Sequence, residues 1–130
     1  MKETIIIIFI LIIIFGGAIY TKNFLNSTSE EIILKLDELK EEIIIAKENN
    51  ERTIVQKLAN EIYDKWEEMD KTWSILVFHE ELDSIQISLT KMKAQIEKGE
   101  LEESIEELET TKFLINHIKE KEKFNLKNIF

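Results

Sequence analysis

Proline and cysteine are both absent from this chain, and glycine occurs only three times. Without proline, no position is barred outright from a helix interior, and only Gly16, Gly17 and Gly99 weaken one. Without cysteine, disulfides, thiolate nucleophiles and zinc–sulfur sites are excluded. Positive charge is also scarce: 17 Lys and Arg stand against 26 Asp and Glu, a formal net charge of −9. That balance argues against nucleic acid as a partner, because a phosphate backbone needs a cationic face. It equally disfavours broad adhesion to an anionic membrane surface. What is abundant is Ile, Leu, Glu and Lys, a composition that favours long helices over strands. The 130 residues leave room for one domain.

One long hydrophobic run is present. Thr4 to Tyr20, TIIIIFILIIIFGGAIY, carries no charge. As a helix it spans roughly 25 Å, close to the ~30 Å hydrocarbon core of a bilayer. Tyr20 suits the interface, Lys22 can snorkel, and Phe24 and Leu25 extend the apolar contact. Residues 1–25 therefore read as a single-pass membrane anchor and residues 26–130 as a helical domain. A cleaved signal peptide is the competing reading, with Lys2 as its n-region and Gly16-Gly17-Ala18 as its cleavage site. The weakly basic n-region and long apolar core favour the anchor. The short N-terminal tail stays most simply in the cytoplasm, which puts the C-terminal domain outside it.

After the polar link Asn26-Ser27-Thr28-Ser29, Ser27 and Glu30 have capping-box spacing and predict a helix start. Ile32, Leu36, Leu39, Ile43 and Ala46 form one apolar seam, which Asn49-Asn50 ends. Val55, Leu58, Ile62, Trp66, Met69, Trp73 and Leu76 form a second. Ile75, Phe78, Leu82, Ile85, Leu89, Met92 and Ile96 form a third. One unbroken helix from Glu51 to Lys98 runs about 72 Å, long for a small domain. The apolar face drifts between Trp66 and Leu76, so a kink or break is expected near Met69–Thr72, with Asp70 or Thr72 as the candidate cap. Gly99 stands where a helix-ending glycine belongs. Glu100, Glu102 and Glu103 then open a last helix, whose seam is Leu101, Ile105, Leu108, Ile115 and Ile118. Lys119, Lys121 and Lys123 sit at its expected end, before the tail Asn125 to Phe130. The fold class expected is all-α: a transmembrane helix, then an antiparallel bundle of three to four helices with a long middle helix.

Catalytic motifs are missing. There is no strand–turn–helix serine, no glycine-rich phosphate loop and no Glu-x-x-His pair of the di-iron type. The expectation is a protein that is not an enzyme and needs no cofactor. The sharpest polar feature is HEELDSI, His79 to Ile85, set directly against an apolar run. His79 and Asp83 share a helix face at i,i+4, and His117 and Glu120 share one at i,i+3. Counted from Gly99, the two histidines differ in height by only about 3 Å on an antiparallel hairpin. Three readings stay open for His79, Asp83, His117 and Glu120. They form a hydrogen-bonded cluster that fixes helix register, they are solvated, or they make a metal- or proton-sensing site. Trp66 and Trp73, seven apart, read as core, with partner docking as the alternative use.

Trp66, Trp73, HEELDSI, FLINHI (Phe113 to Ile118) and the terminal NIF together resemble the bacterial domain-of-unknown-function family 4363. Those are small proteins with an N-terminal hydrophobic segment, common in spore-forming and related Gram-positive bacteria. Members often carry a proline after the second histidine, whereas here Lys119 follows Ile118. The resemblance implies a Gram-positive membrane or envelope setting and carries no catalytic residue. The resulting expectation is a membrane-anchored, extracytoplasmic accessory or scaffold protein that acts through a protein partner, with a homo-oligomer as one form of that contact. The alternative is an envelope metal or pH sensor built on His79 and His117.

Overall fold

A chain without proline stays helical until something specific stops it, and three short connections do so here. The computed structural model describes the backbone of residues 1–129 and the side chains of residues 1–122. Those residues hold four helices and no strand: α1 (Lys2–Asn49), α2 (Thr53–Leu76), α3 (His79–Lys98) and α4 (Leu101–Ile129).

Two connections follow the residues that predict them. Asn50 ends α1 in the left-handed region at φ 61°, donating its N–H to the Ala46 carbonyl at 2.9 Å. Gly99 ends α3 at φ 84°, and the Glu100 N–H reaches back to the Gln95 carbonyl at 2.8 Å. That is a glycine-dependent helix stop. Arg52 reinforces it from the neighbouring turn, donating to the Ile96 and Glu97 carbonyls at 3.4 and 3.3 Å. At the start of α2, Glu51 accepts both the N–H and the hydroxyl of Thr53, which holds its carboxyl below the usual glutamate range.

The third connection is a break in the middle helix, but it lies beyond the Met69–Thr72 position expected for a kink or break. Met69 and Trp73 are both buried at unbroken spacing, so α2 continues past that point. The break falls at Val77 and Phe78, both in extended backbone. Helical phase explains the position. Carried on from Trp73, the α2 stripe points Glu80 and Asp83 inward, whereas the core of α3 consists of Leu82, Ile85, Leu89, Met92 and Ile96. No single helix satisfies both stripes, so the chain breaks between them. Glu80 and Glu81 then occupy the first turn of α3, where the dipole favours anions.

The helix start expected at Ser27 is also absent. α1 runs through Asn26 to Ser29 without interruption. The Thr28 hydroxyl donates back to the Phe24 carbonyl at 2.8 Å, and Ser29 is buried. Polar residues of this kind loosen a helix without ending it. α4 likewise continues through the expected tail to Ile129, and the side chains of Asn125 to Phe130 lie outside the described residues.

Each helix carries a stripe with steps of three and four: Leu25, Ser29, Ile32, Leu36, Leu39, Ile43, Ala46 on α1, and Leu101, Ser104, Leu108, Thr111, Ile115, Ile118 on α4. Ile105, expected in the α4 stripe, is half-buried beside it. α1 packs against α2 and α4, and α3 packs against the same two. Ion pairs fix the α1–α4 register: Lys47–Glu102, Lys40–Glu109, Asp37–Lys112 and Glu30–Lys119. Moving back along α1 by seven, three and seven residues advances α4 by the same steps, so the two run antiparallel. None of this involves the start of α1. Every side chain from Met1 to Gly17 is exposed, and the helix is long and apolar enough there to cross a membrane.

Candidate functional site

His79 is the first residue of α3, Asp83 lies one turn on, and His117 and Glu120 lie on α4. All four side chains are exposed. His117 lines a shallow groove with Glu80, Glu81, Ser84, Leu114 and Ile118, and its ring stacks on Phe113 at 6.1 Å. His79 is not part of that lining. Among the described residues neither imidazole forms a hydrogen bond, and no group of three His, Asp or Glu is arranged to hold a metal. The register cluster expected of the two histidines is not formed. Closeness in height, counted from Gly99, does not bring the two together, because rotation about the helix axis also decides the outcome. His117 sits roughly 130° around α4 from the Thr111, Ile115 and Ile118 stripe, which puts it on the exposed rim of the α3–α4 groove and out of the buried contact.

Other residues take over that role. Lys121 of α4 pairs with Glu81 of α3 at 3.0 Å and lies over the Phe78 ring, 5.1 Å from its centroid. Deeper in the hairpin, Thr111 Oγ1 lies 2.9 Å from Ser88 Oγ, and Ser88 donates to Glu107. Both residues are buried. Thr111 also donates to the Glu107 carbonyl within α4 at 2.9 Å, so a slip of register strands Ser88 alone, a cost of about 1–3 kcal/mol.

Trp66 and Trp73 are each 0% exposed and meet edge to face at 5.9 Å. Wholly enclosed indoles offer no surface to a partner. Each N–H is satisfied inside the fold, as a buried indole requires. Trp66 donates to Gln86 Oε1 at 2.8 Å, and Gln86 Nε2 donates to the Tyr63 hydroxyl at 2.8 Å. Trp73 donates to Thr28 Oγ1 at 3.1 Å. Sequence reasoning missed Gln86 and Thr28. The available signal was a pair of core tryptophans, each of which needs an acceptor on a neighbouring helix.

Several apolar side chains outside the N-terminal segment are exposed, Ile54, Ile87 and Phe113 among them. Leu34 and Ile45 share the outward face of α1, with Ile44 at its edge, and Ile75 and Phe78 stand at the α2–α3 corner. Close to that corner, Lys22, Asn23, Leu25 and Asn26 of α1 line a hollow with Lys119 and Glu122 of α4. Burial raises the Glu122 pKa above the ordinary glutamate range, and the nearby Glu81 charge adds to the effect. On the other side of α1, Tyr20 stacks on Phe24 at 6.4 Å.

No curated protein and no solved structure matches this chain. A family match does exist, and it begins where the apolar run closes and extends through α2, α3 and α4. The chain belongs to the family described as Domain of unknown function (DUF4363), whose sequence model matches residues 19–129.

Proposed function

We propose that this protein is a membrane-anchored helical scaffold: an antiparallel four-helix bundle held against a bilayer by its own first helix, with the bundle outside the cytoplasm. The observation that carries the reading is the continuity of α1. One unbroken helix supplies both the exposed apolar segment and the Leu25 to Ala46 wall of the core. A flexible linker would leave the domain free to tumble, whereas a continuous helix holds its height and direction at the surface. Action through a protein partner is supported by the outward face of α1, where Leu34, Ile44 and Ile45 are exposed among Glu38 and Glu41. Such a face suits an apolar partner surface rimmed by basic residues.

The test is made in cells stripped of their wall. The protein sediments with membranes, and added protease removes the bundle from intact cells. Complete protection until lysis reverses the orientation. Recovery in the soluble fraction removes the anchor. Membranes should also yield one defined partner, lost on substitution of Leu34 and Ile45 by lysine. Unchanged recovery after that substitution separates the partner contact from this face.

A further inference from the structure

Ile75 and Phe78 are 81% and 72% exposed, although they flank Val77, which is buried at 7%. Extended backbone at Val77 and Phe78 turns successive side chains to opposite sides, so sealing the core with Val77 pushes Phe78 out. We infer that this corner is a second membrane contact, seated in the headgroup layer of the bilayer that α1 crosses. The inference rests on the membrane reading above and extends it from an anchor to a fixed orientation.

Height supports it. Trp73 bonds to Thr28, which fixes the level of α2 on α1. α2 continues three residues past Trp73 to Leu76, about 4.5 Å towards the apolar segment. The corner therefore stands near the level of Leu25. Leu25 lies five residues beyond Tyr20, about 7.5 Å along the helix. A headgroup layer is itself about 5–7 Å deep on each side of the hydrocarbon, so the corner stands at its outer edge. Because α1 has no break, this spacing is built into the fold. Lys121 over the Phe78 ring adds a cation at the same level, and Tyr20 and Phe24 flank the boundary on α1. Aromatic rings and lysines are the groups that settle at this depth. Glu80, Glu81 and Glu122 also stand nearby, so the fitting surface is zwitterionic, not strongly anionic. A second contact beside a single spanning helix fixes its rotation and tilt, and so decides which face of the bundle meets a partner.

The absence of cysteine makes site-specific labelling clean. The full chain is placed in phosphatidylcholine vesicles with one nitroxide on His79→Cys, which leaves Ile75 and Phe78 intact. Reference labels go on Ile12→Cys and Asn50→Cys. The ratio of collisions with oxygen to collisions with a nickel chelate reports depth. The expected pattern is lipid-like at position 12, aqueous at 50 and intermediate at 79. Ile75→Ser with Phe78→Ser should shift position 79 to the aqueous value without loss of helical circular dichroism. Equal readings at 79 and 50, with 12 lipid-like, overturn the corner contact and leave the anchor standing. An aqueous reading at 12 removes the anchor and the corner together. Spin–spin broadening at 79, relieved by dilution with unlabelled chain, shows a second copy covering the corner and equally overturns the inference.

Discussion

Gln86 is a polar residue on the flank of an apolar seam, and its neighbours make it costly to replace. Its amide accepts from the Trp66 indole and donates to the Tyr63 hydroxyl. Gln86→Met keeps the volume and removes both bonds, which leaves a buried indole N–H unpaired. The expected loss is about 1–3 kcal/mol in urea unfolding. Tyr63→Phe removes only the outer bond and should cost less than Gln86→Met. Equal losses would show that the indole N–H finds another acceptor. Glu122 makes a prediction in pH. Burial and Glu81 raise its pKa, so the folded chain holds that proton more tightly than the unfolded chain. This contribution is complete below the ordinary value of 4.5 and fades as pH rises through the elevated folded value. Glu122→Gln should therefore raise the melting temperature at neutral pH and leave it unchanged well below 4.5. A gain of the same size at both pH values would assign the effect to packing. Single-residue readings of this kind were only partly legible beforehand. The burial of Trp66 and Trp73 followed from spacing, while their acceptors sit on other helices that spacing does not place. The outward turn of His117 follows from α4 phase, which the height estimate left out.

At the scale of elements, the helix ends divide by cause. Asn50 and Gly99 stop their helices through backbone conformation, a local property. The two positions predict opposite mutational signs. Gly99→Ala forces an L side chain into the left-handed region and brings its Cβ within 2.8 Å of the Arg52 guanidinium, which can move. The strain is expected to cost about 1–2 kcal/mol. Asn50→Gly relieves a milder form of the same strain and should stabilise the chain. Thermal unfolding of the two variants checks the pair, and a stabilising Gly99→Ala would sink the argument. The Val77–Phe78 break has another origin. It carries no glycine or proline and exists because two apolar stripes are out of phase, so only their packing against neighbours selects where the chain turns. Asn26 to Ser29 errs in the opposite direction. It has the composition of a link, yet Leu25 and Ser29 both face the core, and burial keeps the helix intact.

For the whole molecule, the division of labour along α1 makes a direct prediction. No side chain from Met1 to Gly17 is among the buried core residues. Deleting it should release the protein from membranes. It should change the melting temperature of the remainder by less than the ~4–8 °C that corresponds to 1 kcal/mol in a domain of this size, relative to the full chain in detergent. A larger drop would show that the apolar segment packs against the helices after all. The α1–α4 ion pairs are mostly exposed and contribute little stability each, but their common spacing opposes any slip of one helix along the other.

The sequence by itself determined the helical class, the apolar N-terminal segment, the stops at Asn50 and Gly99, and most of the four stripes. These depend on composition, local backbone preference and a period of three to four residues, all of which are carried along the chain. The tertiary structure decided what depends on rotation and on partners distant in sequence. It turned His117 outward while enclosing the tryptophans, paired Trp66 with Gln86 and Trp73 with Thr28, and moved the central break to Val77. It also left Ile75 and Phe78 exposed at the α2–α3 corner. Periodicity states which side of a helix is buried, but only packing states which neighbour it meets and at what height.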